Sequence, residues 1–188
     1  MRADAQRNRD RILAAARELV VEAGVDVGMD DIARRAGVAV GTLYRHFPAK
    51  SDLINAVVDD SFDQIAARTE RALVEVEAGA PVAEKLAELF RAVAERHVTD
   101  RALKVAADRL DVEAEFARAV PGTHAGRAVA AITRLLDLAH AAGVLRAGVT
   151  LADLMLLLSS MPGGEVPAEM RHRFVEIVIA GLAAPAHP

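Results

Sequence analysis

Asp30-Asp31-Ile32-Ala33-Arg34-Arg35-Ala36-Gly37-Val38-Ala39-Val40-Gly41-Thr42-Leu43-Tyr44-Arg45-His46-Phe47 is the stretch that decides the fold of this 188-residue chain. Ile32, Ala33 and Ala36 mark one apolar face of a short helix, stopped at Gly37, where the turn favours a positive φ. After Val38 a second short helix covers about Gly41–Phe47. It ends before Pro48, because the residue preceding a proline resists the α region. Ile32, Ala33, Val38 and Leu43 supply apolar contacts that clamp the two helices, with the small Ala33 where they approach. The spacing predicts a helix-turn-helix. Its second helix presents Thr42, Tyr44, Arg45 and His46, with Lys50 just beyond. Each donates a hydrogen bond and two are cationic, a set suited to a major-groove edge flanked by phosphates.

Outward from this stretch the periodicity stays helical. Ile12, Ala16, Leu19, Val20 and Ala23 form an apolar stripe that stops at Gly24. Ser51 is the expected N-cap of a long helix reaching about Ala78, and Gly79-Ala80-Pro81 breaks it. Val82, Leu86, Leu89, Phe90 and Val93 mark a fifth helix, and Thr99-Asp100 reads as the cap of a further one running toward Phe116. Three more follow: one through Val129, Ile132, Leu135 and Leu136 to Gly143, then about 151–161 and 168–183. No strand pattern of useful length and no repeat interrupts them. The expected class is all-α with about nine helices, divided into a DNA-binding head over 1–50 and a helical body over 51–188.

Composition narrows the function. With 53% hydrophobic residues the chain is no disordered polymer. It has no cysteine, hence no disulfide framework and no thiolate chemistry. The polar N-terminus is not a signal peptide, and the longest aliphatic run, Leu154 to Leu158, is too short to span a bilayer, so a cytoplasmic protein without a membrane partner is expected. The net charge of −4 argues against nucleic acid only as an average. Residues 1–50 hold nine basic and seven acidic side chains, a net of +2, which leaves −6 on the remainder. Arg2, Arg7, Arg9 and Arg11 read equally as a disordered end or as an arm along a DNA backbone. At least one of Arg34 and Arg35 reads as a solvated charge, and Phe47 as a core aromatic. Taken singly, Tyr44 also fits a core and His46 a plain surface position; it is the ordered set that points to DNA.

Ile12-Leu13-Ala14-Ala15-Ala16, Gly24, Asp31-Ile32-Ala33, Ala36-Gly37-Val38 and the run from Gly41 through Tyr44-Arg45-His46-Phe47-Pro48 to Leu53 together resemble the TetR/AcrR family of bacterial transcriptional regulators. The motif covers about residues 10–58; beyond it the resemblance lies in helix layout. It implies a homodimer that binds a palindromic double-stranded operator and is released by a small molecule. By position it also implies phosphate contacts from Thr42, Tyr44, His46 and Lys50, a close backbone approach at Gly41, and base-facing places for Val40 and Arg45. The chain departs from the family pattern at Val40, often a polar residue, and at Val27-Gly28, where many members open the helix with Ser or Thr.

The body is less explicit. Leu151, Leu154, Met155, Leu156, Leu157 and Leu158 surround their helix with aliphatic side chains, and such a helix must be buried on every side. Together with Phe174 and Val178 of the last helix, Leu154, Leu157 and Leu158 are the expected dimer interface across a two-fold axis. Phe62, Phe90, His97, Phe116, His124 and Met155 are the candidate pocket lining for an effector of unknown identity, apolar or amphipathic by the body's Ala, Val and Leu content. His97, His124, His140 and His172 have no metal-ligand spacing, and no cofactor is expected. The reading is a ligand-responsive repressor and not an enzyme, since no phosphate loop, Ser/His/Asp spacing or carboxylate pair supports catalysis. The alternatives are a small-molecule-binding protein or enzyme keeping the head as scaffold, or a transcriptional activator.

Overall fold

The structure, a computed structural model, describes residues 2–109 and 120–185. Eight α-helices carry the described residues: α1 Arg2–Ala23, α2 Met29–Ala36, α3 Val40–His46, α4 Lys50–Glu77, α5 Val82–Arg109, α6 His124–Ala141, α7 Leu151–Ser159 and α8 Ala168–Leu182. A 3-10 turn at Gly24–Asp26 joins α1 to α2. The class is all-α, as the periodicity predicts.

Two boundaries differ from the sequence expectation. The helix expected to open at Thr99-Asp100 does not exist separately, because α5 runs unbroken from Val82 to Arg109. That span holds no Gly or Pro, so a capping pair inside it has nothing to release the chain from the preceding helix. The long helix starts at Lys50, not after Ser51, and Asp52 in its first turn reaches back, its Oδ2 accepting the Ala49 N–H at 2.9 Å. A carboxylate in the first turn also opposes the positive end of the helix dipole.

The chain falls into two compact units. One comprises the residues up to Ser61 with the stretch from Val98, the other Phe62–His97 with the C-terminal part, so the division lies inside α4 and α5. In the first unit, here the head, Ile12, Ala16 and Val20 of α1, Ile32 and Ala33 of α2, Leu43 of α3, and Leu53, Ile54 and Val57 of α4 are the buried apolar side chains. In the second unit, the body, the core joins Leu89, Phe90 and Ala94 of α5, Leu135, Leu136 and Ala139 of α6, Leu154 of α7 and Val175 of α8. Thr69, fully buried in the body, satisfies its hydroxyl by donating to the Ile65 carbonyl at 2.8 Å. α7 is opened by a capping box in which Thr150 and Asp153 each accept from the other's backbone.

Candidate nucleic-acid interface

The turn ahead of α3 follows from one residue. Gly37 stands at φ 63°, ψ 39°, and two bonds close the end of α2: Gly37 N–H donates to the Arg34 carbonyl at 3.1 Å, and Val38 N–H to the Ala33 carbonyl at 3.0 Å. This left-handed closure is cheap for glycine and costly for a side-chain-bearing residue. At the other end Phe47 caps α3, its N–H donating to the Leu43 carbonyl at 2.8 Å, and is buried. Leu43 and Phe47, one turn apart, form the inner face.

The outer face carries the expected residues. Val40, Gly41, Tyr44 and Arg45 are exposed, and Thr42 and His46 are half-buried. A side chain as large as Tyr44, 45% exposed, stands where a core aromatic would be covered, which removes that alternative. A β-carbon at Gly41 would meet nothing within 4 Å, so the backbone there is open to close approach. Lys50 stands just beyond α3, and its ammonium donates to the Val27 carbonyl ahead of α2. This contact anchors the side chain beside the start of α2.

Charge in the head is distributed unevenly. Arg17 pairs with Asp60 at 2.8 Å, Arg34 with Asp31 at 2.8 Å, and Arg35 with Glu22 at 2.8 Å and Glu18 at 3.1 Å. The Arg35 hydrogen bond holds the Glu22 carboxyl below the usual glutamate range. Arg34 is thus a solvated charge as expected, whereas Arg35 ties α2 to α1. Among the described residues Arg45 has no such counter-charge, Arg11 donates to the neutral Gly37 carbonyl, and Arg9 lies over the neutral Phe47 ring. The cations left uncancelled are therefore those on α3 and the half of α1 beside it. Arg9 and Arg11 are helical residues of α1, so the disordered-end reading does not hold for them. Contacts between residues 26 or 38 positions apart leave no local pattern, and sequence reasoning missed both.

Four of the body's expected pocket residues are described. Phe90 is buried in the body core, Phe62 is half-buried on α4, and Met155 is 52% exposed on α7. His124 opens α6 and donates through Nδ1 to Asp63 Oδ1 at 2.8 Å. Arg127 joins the same cluster, reaching Asp63 at 2.8 Å and Glu70 at 2.9 Å. Phe116 and the His97 side chain lie outside the described residues. A groove of about 350 Å³ between α5 and α8, lined by Arg91, Glu95, Met161, Arg171 and Val175 among others, contains none of the expected lining residues. Leu154 of the expected interface is buried within the body, and Leu157, Leu158, Phe174 and Val178 pack against its core. Met155, Leu156, Met170, Ile177 and Val74 are among the large apolar side chains that the body leaves exposed.

A seven-residue helix presented on a glycine turn, with a bare cation and an open backbone on its outer face, defines a helix-turn-helix protein built to read DNA. Residues 12–57 match the model of the bacterial regulatory proteins of the tetR family, and residues 81–184 that of the C-terminal domain of SbtR-like transcriptional regulators. A TetR transcription regulatory protein from Mycobacterium vanbaalenii is 34% identical, with 97% of this chain and 99% of that one covered and a TM-score of 0.76. A TetR regulator from Streptomyces coelicolor follows at 28% identity and a TM-score of 0.74, covering 95% of this chain and 99% of that one. An HTH-type transcriptional regulator of Staphylococcus aureus is 47% identical over 64 residues, which are 34% of this chain and 35% of that relative, so the match spans about a third of either. The chain belongs to the TetR family of bacterial transcriptional regulators. Among its described residues no helix is long and apolar enough to cross a membrane, and no group of three or more His, Cys, Asp or Glu is placed to hold a metal.

Proposed function

We propose that the protein is a ligand-responsive repressor that binds a palindromic operator as a homodimer and is released by a small apolar or amphipathic effector. The observation that carries this reading is the outer face of α3, where Arg45 stands without a counter-charge beside open backbone at Gly41. Arg45 supplies a two-pronged donor for a guanine edge, and Val40 an apolar contact for a thymine methyl. Thr42, Tyr44, His46 and Lys50 supply phosphate contacts that fix the register.

The two-fold partner is supported by the body's leftover apolar surface. Leu156 on α7 and Ile177 on α8 are each 65% exposed, and Met155 and Met170 add to them. Large aliphatic side chains left exposed on two helices of the body favour association. Ile177→Glu should convert the dimer to monomers on size-exclusion chromatography; an unchanged dimer contradicts this interface. Leu157→Glu is the poorer test, since Leu157 packs against the body's own core.

Two recognition helices reading half-sites about one helical turn apart stand roughly 34–36 Å apart. An effector that binds better to a dimer with another separation weakens operator binding by its differential affinity. α4 is the natural lever, because its residues belong to both compact units and Asp63 and Glu70 fasten it to α6 within the body. The test is binding to the duplex flanking the protein's own gene at several salt concentrations. A salt-sensitive shift that Tyr44→Ala weakens supports the proposal; no shift for the wild type contradicts it.

A further inference from the structure

α3 has seven residues, far below the length at which an isolated helix holds itself in water, and only Leu43 among them is buried. Core packing alone gives it few points of attachment. Both of its flanks are gripped from the N-terminal half of α1. Ahead of α3, Arg11 Nη2 donates to the Gly37 carbonyl at 3.0 Å. The guanidinium occupies the space a β-carbon at Gly37 would need, so arginine and glycine fit as a pair. Beyond α3, the Arg9 guanidinium carbon lies 5.7 Å from the centre of the Phe47 ring, a cation–π distance, and Phe47 caps the helix.

We infer that Arg11 is a positioning residue for DNA reading: by holding the Gly37 turn it sets where Val40, Gly41 and Arg45 stand, with Arg9 bracing the opposite end. The role in DNA reading rests on the function proposed above, but the brace itself is measurable without DNA.

Amide hydrogen exchange on the full-length chain tests it. Arg11→Ala should speed exchange at Leu43 to Phe47 about fivefold to tenfold, the effect of losing one exposed charge-assisted hydrogen bond, and leave α6 unchanged. Arg11→Lys still donates and should recover most of the protection. Arg7→Ala removes an equal charge from the same helix, where Arg7 pairs with Asp4, and should leave α3 exchange unchanged. Unchanged exchange in Arg11→Ala overturns the inference. Should that variant fail to fold, Arg11→Met against Arg11→Lys makes the same comparison with the stem retained, and equal exchange in the two overturns it. On DNA, Arg11→Ala should lower the ratio of operator to non-specific affinity several-fold. Equal weakening on both duplexes, with a salt slope reduced by about 1, makes Arg11 a phosphate contact and overturns the positioning role. A wild type that binds no DNA defeats the proposed function, while the exchange result still decides the brace.

Discussion

α3 and α6 do opposite work with similar chemistry. α6 has eighteen residues and buries six of them, Ala125, Ala128, Ala131, Leu135, Leu136 and Ala139, so its position is set by packing. α3 has seven and buries one. Its ends are held by a glycine closure and by contacts from α1, and the side chains between them are left to solvent. Charge pairing is richer in the body, although Arg134 of α6 has no counter-charge among the described residues. In the body, Arg91 is matched to Glu176, Arg127 to Glu70 and Asp63, and Lys85 to Glu75 and Glu88. On α3, Arg45 is not matched. The two helices differ most in burial: packing places α6, and the outer face of α3 stays open.

Core and recognition should therefore separate within a single turn of α3. Leu43→Ala removes a fully buried side chain and should cost about 2–5 kcal/mol in chemical denaturation. Tyr44→Ala, one residue on, should change stability by roughly 0.5 kcal/mol or less while it weakens DNA binding. Equal destabilisation by the two would break the distinction between the inner and outer faces. Next in size, Arg45→Ala should cost about 1–3 kcal/mol of discrimination at one base pair in each half-site and little elsewhere. Uniform weakening would reassign Arg45 to phosphate. Lys50→Ala should act in that uniform manner, lowering the salt slope by about 1. Loss of helicity in that variant would instead give its bond to Val27 the larger share.

The smallest effect belongs to the body and depends on pH. Burial pulls the Asp63 pKa up, but hydrogen bonds from His124 and Arg127 outweigh it and hold the carboxyl below its usual range. A depressed folded-state pKa contributes stability that is complete above the unfolded value and is lost as the pH falls through the folded one. Thermal unfolding of the wild type should therefore lose a small increment of stability on acidification below about pH 4 that Asp63→Asn lacks. Parallel curves for the two proteins would show that the cluster contributes nothing. The head should retain its DNA reading in Asp63→Asn, because the cluster lies wholly in the body.

The same contrast explains what the sequence revealed. Gly37, Leu43 and Pro48 act on neighbours a few residues away, so the turn, the inner face and the end of α3 could be read directly, and with them the outer face. Ser51 suits a cap by residue type, but the helix starts one residue earlier, with Asp52 reaching back to the Ala49 N–H. Thr99-Asp100 resembles a helix start by residue type alone, and no Gly or Pro precedes it to end α5. In the body, Phe90 and Met155 share an apolar character but not a location: one is core and the other surface. A pocket assembled from helices tens of residues apart has no spacing of its own, and neither do the Arg11–Gly37 and Arg17–Asp60 contacts.

The central claim, that the outer face of α3 reads DNA sequence, is tested most directly by selecting duplexes from a randomised pool with the wild type and with Arg45→Ala in parallel. The account predicts that the wild type enriches a palindrome and that Arg45→Ala enriches the same palindrome with one base pair in each half-site relaxed. No enrichment by the wild type, or an identical consensus from the two proteins, would contradict it.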